Sequence, residues 1–424
     1  MYLNKIQLKN IRSFKDTTVE IEPTPGWHVI LGDNGSGKST LIRSIALGMI
    51  GEPELHQLAF KQRWDSWLRY KEDEAEITLE FENGLQRHAS FIRKDESVIR
   101  IKASEEDLPV FSAGYGSFRR LTGGSDDYDN VWNNSPKLAA HLSVFKEDVA
   151  LDKVEVWMQK IYRDAIFSMY GLQDATPEKI IMDSYTALRI AVFINNSKLL
   201  LNKYILQEPV SKNQEGLRAQ ANLLFEDCNF KNKTFLIKLE ELSDGYKSVL
   251  ALVLELIRQL FSFHQNDVTK IFDTKNDKIT IPGIVLIDEV AAHLHPSWQA
   301  RIGDWFTEYF PNIQFIVSTH SPIICRSAKK GSIQKIIHKG EETIIDKIEG
   351  KEKNQLVYGN ILDAYETNLF GENISRSEES LAKLERLSAL RIRKQFGKEL
   401  TEEEETELEE LSKIFAEHVA NPFL

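Results

Sequence analysis

The feature that most constrains this chain is Gly32-Asp33-Asn34-Gly35-Ser36-Gly37-Lys38-Ser39, which matches the spacing G-x-x-x-x-G-K-S of a phosphate-binding loop. Trp27 to Leu31 before it reads as a strand, and Leu41, Ile42 and Ile45 after it carry helical spacing. In that context backbone N–H groups and a helix N-terminus converge on phosphate oxygens. Lys38 is placed to reach the β- and γ-phosphates of a nucleotide, and Ser39 to ligate Mg2+. Asn34, Gly35, Ser36, Gly37, Lys38, Ser39 and Thr40 are the candidate nucleotide-binding residues, and ATP and Mg2+ the implied cofactors. An ordinary Gly-rich turn is the competing reading, and it leaves the flanking strand and helix unexplained.

Gly283-Ile284-Val285-Leu286-Ile287 ends in Asp288-Glu289. Four apolar residues followed by two acids have the form of a Walker B strand, with Asp288 in the Mg2+ shell and Glu289 polarising the attacking water. Alone, such a pair is a solvated turn; beside a phosphate loop it completes a hydrolytic set. Leu242-Ser243-Asp244-Gly245-Tyr246-Lys247 stands immediately before a long apolar helix over Lys247 to Phe261. Ser243 and the amides around Gly245 therefore lie at a helix N-terminus. There they bind an anion, or Ser243 is a plain helix cap. Val317-Ser318-Thr319-His320 closes the next apolar strand.

These three elements resemble the ABC ATPase superfamily, whose signature usually reads Leu-Ser-Gly-Gly-Gln. The resemblance implies a homodimer or higher homo-oligomer in which Ser243 and Gly245 of one head grip the γ-phosphate held by the other. It also implies that His293-Leu294-His295-Pro296 is the D-loop and that His320 is the switch histidine. The catalytic set is then Glu289, His320 and Asp288, with Ser39 and Asp288 on the metal. A metal site built from the histidines lacks a Cys or Glu-x-x-His companion, and His295 reads as structural. The superfamily's Q-loop glutamine has no counterpart, for Ala113-Gly114-Tyr115-Gly116-Ser117-Phe118-Arg119 stands in its place.

The expected fold is an α/β, ABC-type P-loop ATPase head. It has a mixed or parallel core sheet, a small antiparallel β lobe, a helical insertion and a helical C-terminal extension. Lys5 to Lys9 alternates as a half-buried strand, as do Ala75 to Phe81 and the run through Phe91, joined at Asn83-Gly84 in what reads as a type I′ turn. Val154, Trp157, Met158, Ile161 and Tyr162 give a helical pattern from about Leu151 to Leu206, and a strand returns at Thr234 to Leu239. Ile284 to Ile287 and Ile313 to Val317 lack alternation, the mark of strands buried on both faces. The tail reads as two helices, the second opened by a capping box of Thr401 and Glu404 and striped by Leu408, Leu411 and Phe415. The boundaries expected are 1–140 and 231–340 for the two parts of the head, 141–230 for the insertion and 341–424 for the extension.

Net charge of −11 and a pI near 5.5 argue against a general polyanion-binding surface. Two cysteines, Cys228 and Cys325, are too few for a disulfide framework, the opening Met1-Tyr2-Leu3-Asn4-Lys5 lacks a signal-peptide run, and no apolar stretch spans a bilayer. A cytoplasmic location without membrane contact is the expectation.

Leu8-Lys9-Asn10-Ile11-Arg12-Ser13-Phe14 resembles the opening of SMC- and RecF-type ATPases, yet the interval from loop to signature holds no sustained heptads. Leu242 to Ser248, Gly283 to Trp298 and Phe310 to Pro322 are most similar to the ATPase subunits of the bacterial Septu anti-phage system, found also beside some retrons. That resemblance implies a sensor or regulator working with a separate HNH-type nuclease. The sequence carries no nuclease of its own. The alternative is a RecF- or OLD-like DNA-repair ATPase in direct DNA or RNA contact.

Weaker signals remain open. Phe60-Lys61-Gln62-Arg63-Trp64, with Trp67, Arg69 and Tyr70, either follows a nucleic-acid backbone or packs on the head, and packing is the favoured reading. Arg119 and Arg120 contact phosphate or pair at the surface, and Asp127 and Asp129 belong to a solvated loop. Leu381, Leu384, Leu408, Leu411 and Phe415 bind a partner helix or one another.

Overall fold

The two apolar runs that lack alternation end up side by side, with the strand before the phosphate loop next to them. The structure, a computed structural model, describes the chain except residues 60–63, 96–98, 118–130, 133, 147–152, 170–175, 199–202, 206–223, 229–233, 239–240, 274, 341, 360–377, 397–399 and 416–424. It divides into two compact units, Met1–Tyr358 and Gly359–Leu424.

The first unit opens with β1 (Leu3–Ile11), β2 (Phe14–Glu20) and β3 (Gly26–Leu31), then α1 (Lys38–Met49) and α2 (Glu52–Ala59). Strands β4 (Glu74–Phe81), β5 (Gln86–Arg93), β6 (Ile99–Ala103) and β7 (Phe111–Tyr115) precede helices α3 (Pro136–Phe145), α4 (Lys153–Met169) and α5 (Pro177–Asn196). Next come β8 (Lys203–Ile205), β9 (Leu224–Cys228) and β10 (Thr234–Lys238), the long α6 (Asp244–Phe263), and a ribbon of β11 (Phe272–Asp273) and β12 (Lys278–Ile279). The unit closes with β13 (Gly283–Ile287), α7 (Pro296–Gln299), α8 (Ile302–Tyr309), β14 (Ile313–Thr319), β15 (Ile333–Lys339), β16 (Glu342–Ile348) and α9 (Gly350–Tyr358).

Among the described residues the core sheet has the order β16-β15-β3-β14-β13-β7, parallel throughout except for the β15–β16 hairpin. Every residue of β3, β13 and β14 is buried, as strands covered on both faces require. The second sheet, β2-β1-β4-β5-β6, is antiparallel. Its outer face is a charge ladder, in which Lys5 lies opposite Glu20 and Glu80, and Lys9 opposite Asp16 and Glu76. Opposite charges across strands favour this register over its neighbours.

Helix α1 runs between the two sheets. Leu41, Ile42, Ile45 and Ala46 share one core with Leu8, Ile77 and Leu79 of the antiparallel sheet and with Ile284, Leu286 and Ile316 of the core sheet. The closeness shows at Gly48, where a Cβ would stand 2.6 Å from Leu79 Cδ1. Two buried polar side chains tie the layers. Arg87 donates to the carbonyls of Gly48 at 2.9 Å, Ile50 at 3.2 Å and Glu106, closing the C-terminal end of α1. Gln314 accepts from Leu3 N at 2.8 Å and donates to Leu3 O at 2.9 Å and Glu22 O at 3.0 Å, joining β14 to the start of β1.

Four expectations are corrected. The Asn83-Gly84 turn is not type I′. Gly84 N–H bonds Phe81 O and Gly84 alone takes a positive φ, +82°, so the hairpin is a tight turn followed by a left-handed glycine, with Asn83 Oδ1 accepting from Leu85 N. The helical pattern from Leu151 to Leu206 stops at Asn196, because Lys203–Ile205 pairs with β9 in a small antiparallel sheet with β10. The helical extension expected from residue 341 starts later, since Glu342–Ile348 pairs along the whole of β15. In the second unit α10 (Glu378–Gln395) packs on α11 (Glu402–Ile414) through Leu387 and Leu390 against Leu408 and Leu411, with Leu400 and Phe415 at the margin. Leu384 stands half-exposed instead, and the side chain of Leu381 lies outside the described residues. The capping box at Thr401 and Glu404 is present as expected. No helix among the described residues is long and apolar enough to cross a membrane.

Arg87→Met leaves three carbonyl acceptors without their donor, which costs on the order of 3 kcal/mol of stability. Urea unfolding followed by circular dichroism measures this, and a loss below about 1 kcal/mol refutes the role assigned to Arg87.

Candidate active site

Strand β3 delivers the phosphate loop and α1 receives it. Gly35 and Gly37 hold φ of +78° and +108°, left-handed values that explain the glycines. A Cβ on Gly37 would lie 3.0 Å from the buried Phe14 ring, so the loop rests on the turn between β1 and β2. The Ser36 hydroxyl is buried with no hydrogen-bond partner. A buried donor of that kind, in a loop of left-handed glycines at a helix N-terminus, fits an anion. The loop carbonyl of Gly35 lies 3.2 Å from His338 Nε2, and His338 Nδ1 lies 3.0 Å from Thr343 Oγ1.

Lys38, only 4% exposed, donates to Gly32 O and Asp33 O at 2.9 Å each and sits 3.1 Å from Glu289 Oε1. Glu289 Oε2 is in turn 3.0 Å from His320 Nδ1. The loop lysine, the second Walker B acid and the histidine after β14 thus form one chain of polar contacts. An ammonium has three N–H donors, and three oxygens surround this one. A phosphate reaching Lys38 displaces one of these acceptors, and Glu289 makes the longest of the three contacts.

Asp288, 3% exposed, accepts from Ser318 Oγ at 2.5 Å. Glu289 takes a φ of +46°, rare for a residue with a Cβ, and its N–H donates to the same Ser318 Oγ at 2.8 Å. The donor set offered to a metal, the Ser39 hydroxyl and the Asp288 carboxylate, is hard oxygen of the kind Mg2+ takes.

Of the remaining residues singled out above, Thr40 is buried and its hydroxyl accepts from Arg12 Nη1 at 3.3 Å. Burial and the neighbouring Arg43 hold the Arg12 guanidinium below its usual pKa. Asn34 and Gly35 are exposed on the loop, and Ser39 is half-buried. Ser243 is exposed at the N-cap of α6, with a side chain that makes no capping bond, while Leu242 anchors the turn in the core. Gly245 and Tyr246 pack on the segment after Walker B, with His293 O 3.3 Å from a Cβ position on Gly245 and the Trp298 ring 5.8 Å from Tyr246. His295 caps α7 through Ser297, a structural role. In place of a Q-loop the chain has β7 and the residue after it, where Gly114 and Gly116 press against α3 and a Cβ would meet His141, Val144 and Ser143.

Trp64 and Trp67 stack on Phe91 inside the antiparallel lobe, which is the packing alternative, and among the described residues of that group Tyr70 stands out, 85% exposed. Phe60 to Arg63, Arg119, Arg120, Asp127 and Asp129 lie outside the described residues. Sequence reasoning missed Ser318, Arg12 and His338. The signal for Ser318 was a hydroxyl inside an otherwise apolar strand; His338 carried none.

The family described as "AAA domain, putative AbiEii toxin, Type IV TA system" matches residues 28–326. The chain is similar to Septu protein PtuA of Bacillus mycoides (strain KBAB4), 25% identical over 346 positions that make up 80% of this chain and 41% of that one. It is similar to the Retron Vc95 probable ATPase of Vibrio cholerae serotype O1 biovar El Tor, 27% identical over 446 aligned positions, 88% of this chain and 78% of the relative. A shorter match, 34% over 167 residues, joins it to the Retron Ec83 probable ATPase of Escherichia coli, covering 37% of this chain and 28% of that one. The chain therefore spans less than half the length of the Septu and Ec83 relatives. Among solved structures, an SMC head bound to the C-winged helix domain of ScpA aligns with 83% of this chain and 99% of its own at 16% identity and a TM-score of 0.46. The recombination mediator RecF with ATPrS aligns with 82% and 98% at 15% identity and a TM-score of 0.40.

Glu289→Gln removes the charge that occupies Lys38, so ADP binds the variant about fivefold more tightly than wild type, the equivalent of roughly 1 kcal/mol for one partly screened pair. Calorimetric titration at low salt checks this; equal or weaker binding refutes the competition between Glu289 and phosphate.

Proposed function

Because the chain belongs to the family of AAA domains described as putative AbiEii toxins of type IV toxin–antitoxin systems, we propose that it binds Mg-ATP in the Gly32–Ser39 loop and hydrolyses it. The observation that carries this reading is the contact chain from Lys38 through Glu289 to His320. Lys38 exchanges Glu289 for the β- and γ-phosphate oxygens, and Ser36 and the α1 amides hold the same anion. Ser39 and Asp288 hold Mg2+, which when bound neutralises the charge developing on the phosphates. Glu289, released from Lys38, orients and deprotonates water, while His320 stays within reach of its carboxylate.

The proposed site is completed by a second copy. Ser243 supports this, since its hydroxyl caps nothing and stands exposed at a helix N-terminus, where an anion is favoured. The similarity to Septu and retron ATPases supports a role as the regulatory subunit of an anti-phage complex acting with a separate HNH-type nuclease. The rival role, a RecF-like ATPase on DNA, needs a basic surface. On the outer face of the antiparallel sheet Lys5 and Lys9 instead lie between acids, and net charge is −11. Co-purification of an HNH protein from the native host favours the first role; tight, salt-sensitive DNA binding by the isolated chain favours the second.

Glu289→Gln lowers ATP turnover by at least about 100-fold and accumulates an ATP-bound dimer on size-exclusion chromatography with light scattering. Ser243→Arg still binds ATP but forms no ATP-dependent dimer and turns over no ATP. Full turnover by a strict monomer, with Ser243→Arg harmless, sinks the two-headed site.

A further inference from the structure

Ser318 holds three consecutive residues of the turn after β13. Its backbone carbonyl accepts from Val290 N at 3.0 Å, its Oγ accepts from Glu289 N at 2.8 Å, and its hydroxyl hydrogen goes to Asp288 Oδ1 at 2.5 Å. The direction of these bonds is forced. A backbone N–H can only donate, so Oγ is the acceptor there, and the one hydrogen Ser318 owns is left for Asp288. That hydrogen fixes the Asp288 carboxylate as an acceptor and sets its rotation.

Placement explains why this residue does it. Ser318 lies on β14, between the loop strand β3, where it pairs with Ile30, and β13, whose Ile287 pairs with Val317 one step before. It is wholly buried. The left-handed φ of Glu289 is the conformation that turns its N–H towards Oγ while its carboxylate reaches Lys38 and His320.

We propose that Ser318 is a positioning residue for the Mg2+ site, orienting Asp288 towards the metal and Glu289 towards the loop. The inference rests on the Mg-ATP reading given above and adds to it the group that sets metal affinity.

The test is binding, not turnover. Fluorescent ADP is titrated against wild type, Ser318→Ala and Ser318→Thr across a Mg2+ series and in EDTA. In Ser318→Ala the Mg2+ concentration giving half-maximal stabilisation of ADP binding rises about 10- to 100-fold, the usual loss when a group behind a metal ligand is removed. ADP binding in EDTA stays at the wild-type level, and Ser318→Thr, which keeps the hydroxyl, restores the Mg2+ dependence. An unchanged Mg2+ dependence in Ser318→Ala overturns the proposal, as does an equal loss with and without Mg2+, which marks a strand-packing role only. Should Ser318→Ala fail to fold, Ser318→Cys, similar in volume with a weaker donor, is read the same way and shifts in the same direction; wild-type behaviour there overturns the proposal. A wild-type chain whose ADP binding ignores Mg2+ removes the Mg-ATP reading itself, an outcome separate from a silent substitution.

Discussion

A buried ammonium keeps its charge only where acceptors stand within hydrogen-bond reach, because desolvating an unpaired ion is too costly. Lys38 meets that condition with two loop carbonyls and Glu289, groups that come from the exits of β3 and β13. Those strands are separated by one neighbour, β14, which carries Ser318 and leads into His320. The order β3-β14-β13 thus brings the loop, the acidic turn and the histidine to one edge of the sheet.

Holding that edge steady is the work of the layer behind it. Helix α1 begins at Lys38 and is buried along almost its whole length, sandwiched between the core sheet and the antiparallel lobe. A helix buried along nearly its whole length needs cover on more than one side. The lobe formed by β1, β2, β4, β5 and β6 supplies the half that the core sheet does not, and Arg87 and Gln314 lock the two layers at the far end of α1 and at the start of β14. The lobe serves the site at a distance, by fixing where the phosphate loop can be.

Groups of two kinds meet around this edge. Lys38, Asp288 and Ser318 are buried and tied to one another or to backbone, whereas Ser243, His293 and His320 are exposed. The signature turn and the segment after Walker B pack together through Gly245 and Trp298, so they form one outward-facing surface element. The site thus has a buried half tied into the sheet and an exposed half, in which His320 still reaches back to Glu289.

Much of this was legible in the sequence, and the limits have a physical pattern. The phosphate loop, the Walker B strand, the signature turn and the Thr401 capping box are written in contiguous residues, because strand, turn and helix-cap preferences act over a few positions. Residues near in sequence also pointed to the fold class, since the runs that became β13 and β14 lack the alternation of half-buried strands. The tertiary structure decided what depends on partners far along the chain. Lys203–Ile205 became a strand once β9 was beside it, and Glu342–Ile348 joined the sheet by pairing with β15. Ser318 illustrates the difference most plainly. Its own neighbours in sequence show only a hydroxyl in an apolar run, and its meaning arises from Asp288 and Glu289, some thirty positions away, which only strand pairing places against it.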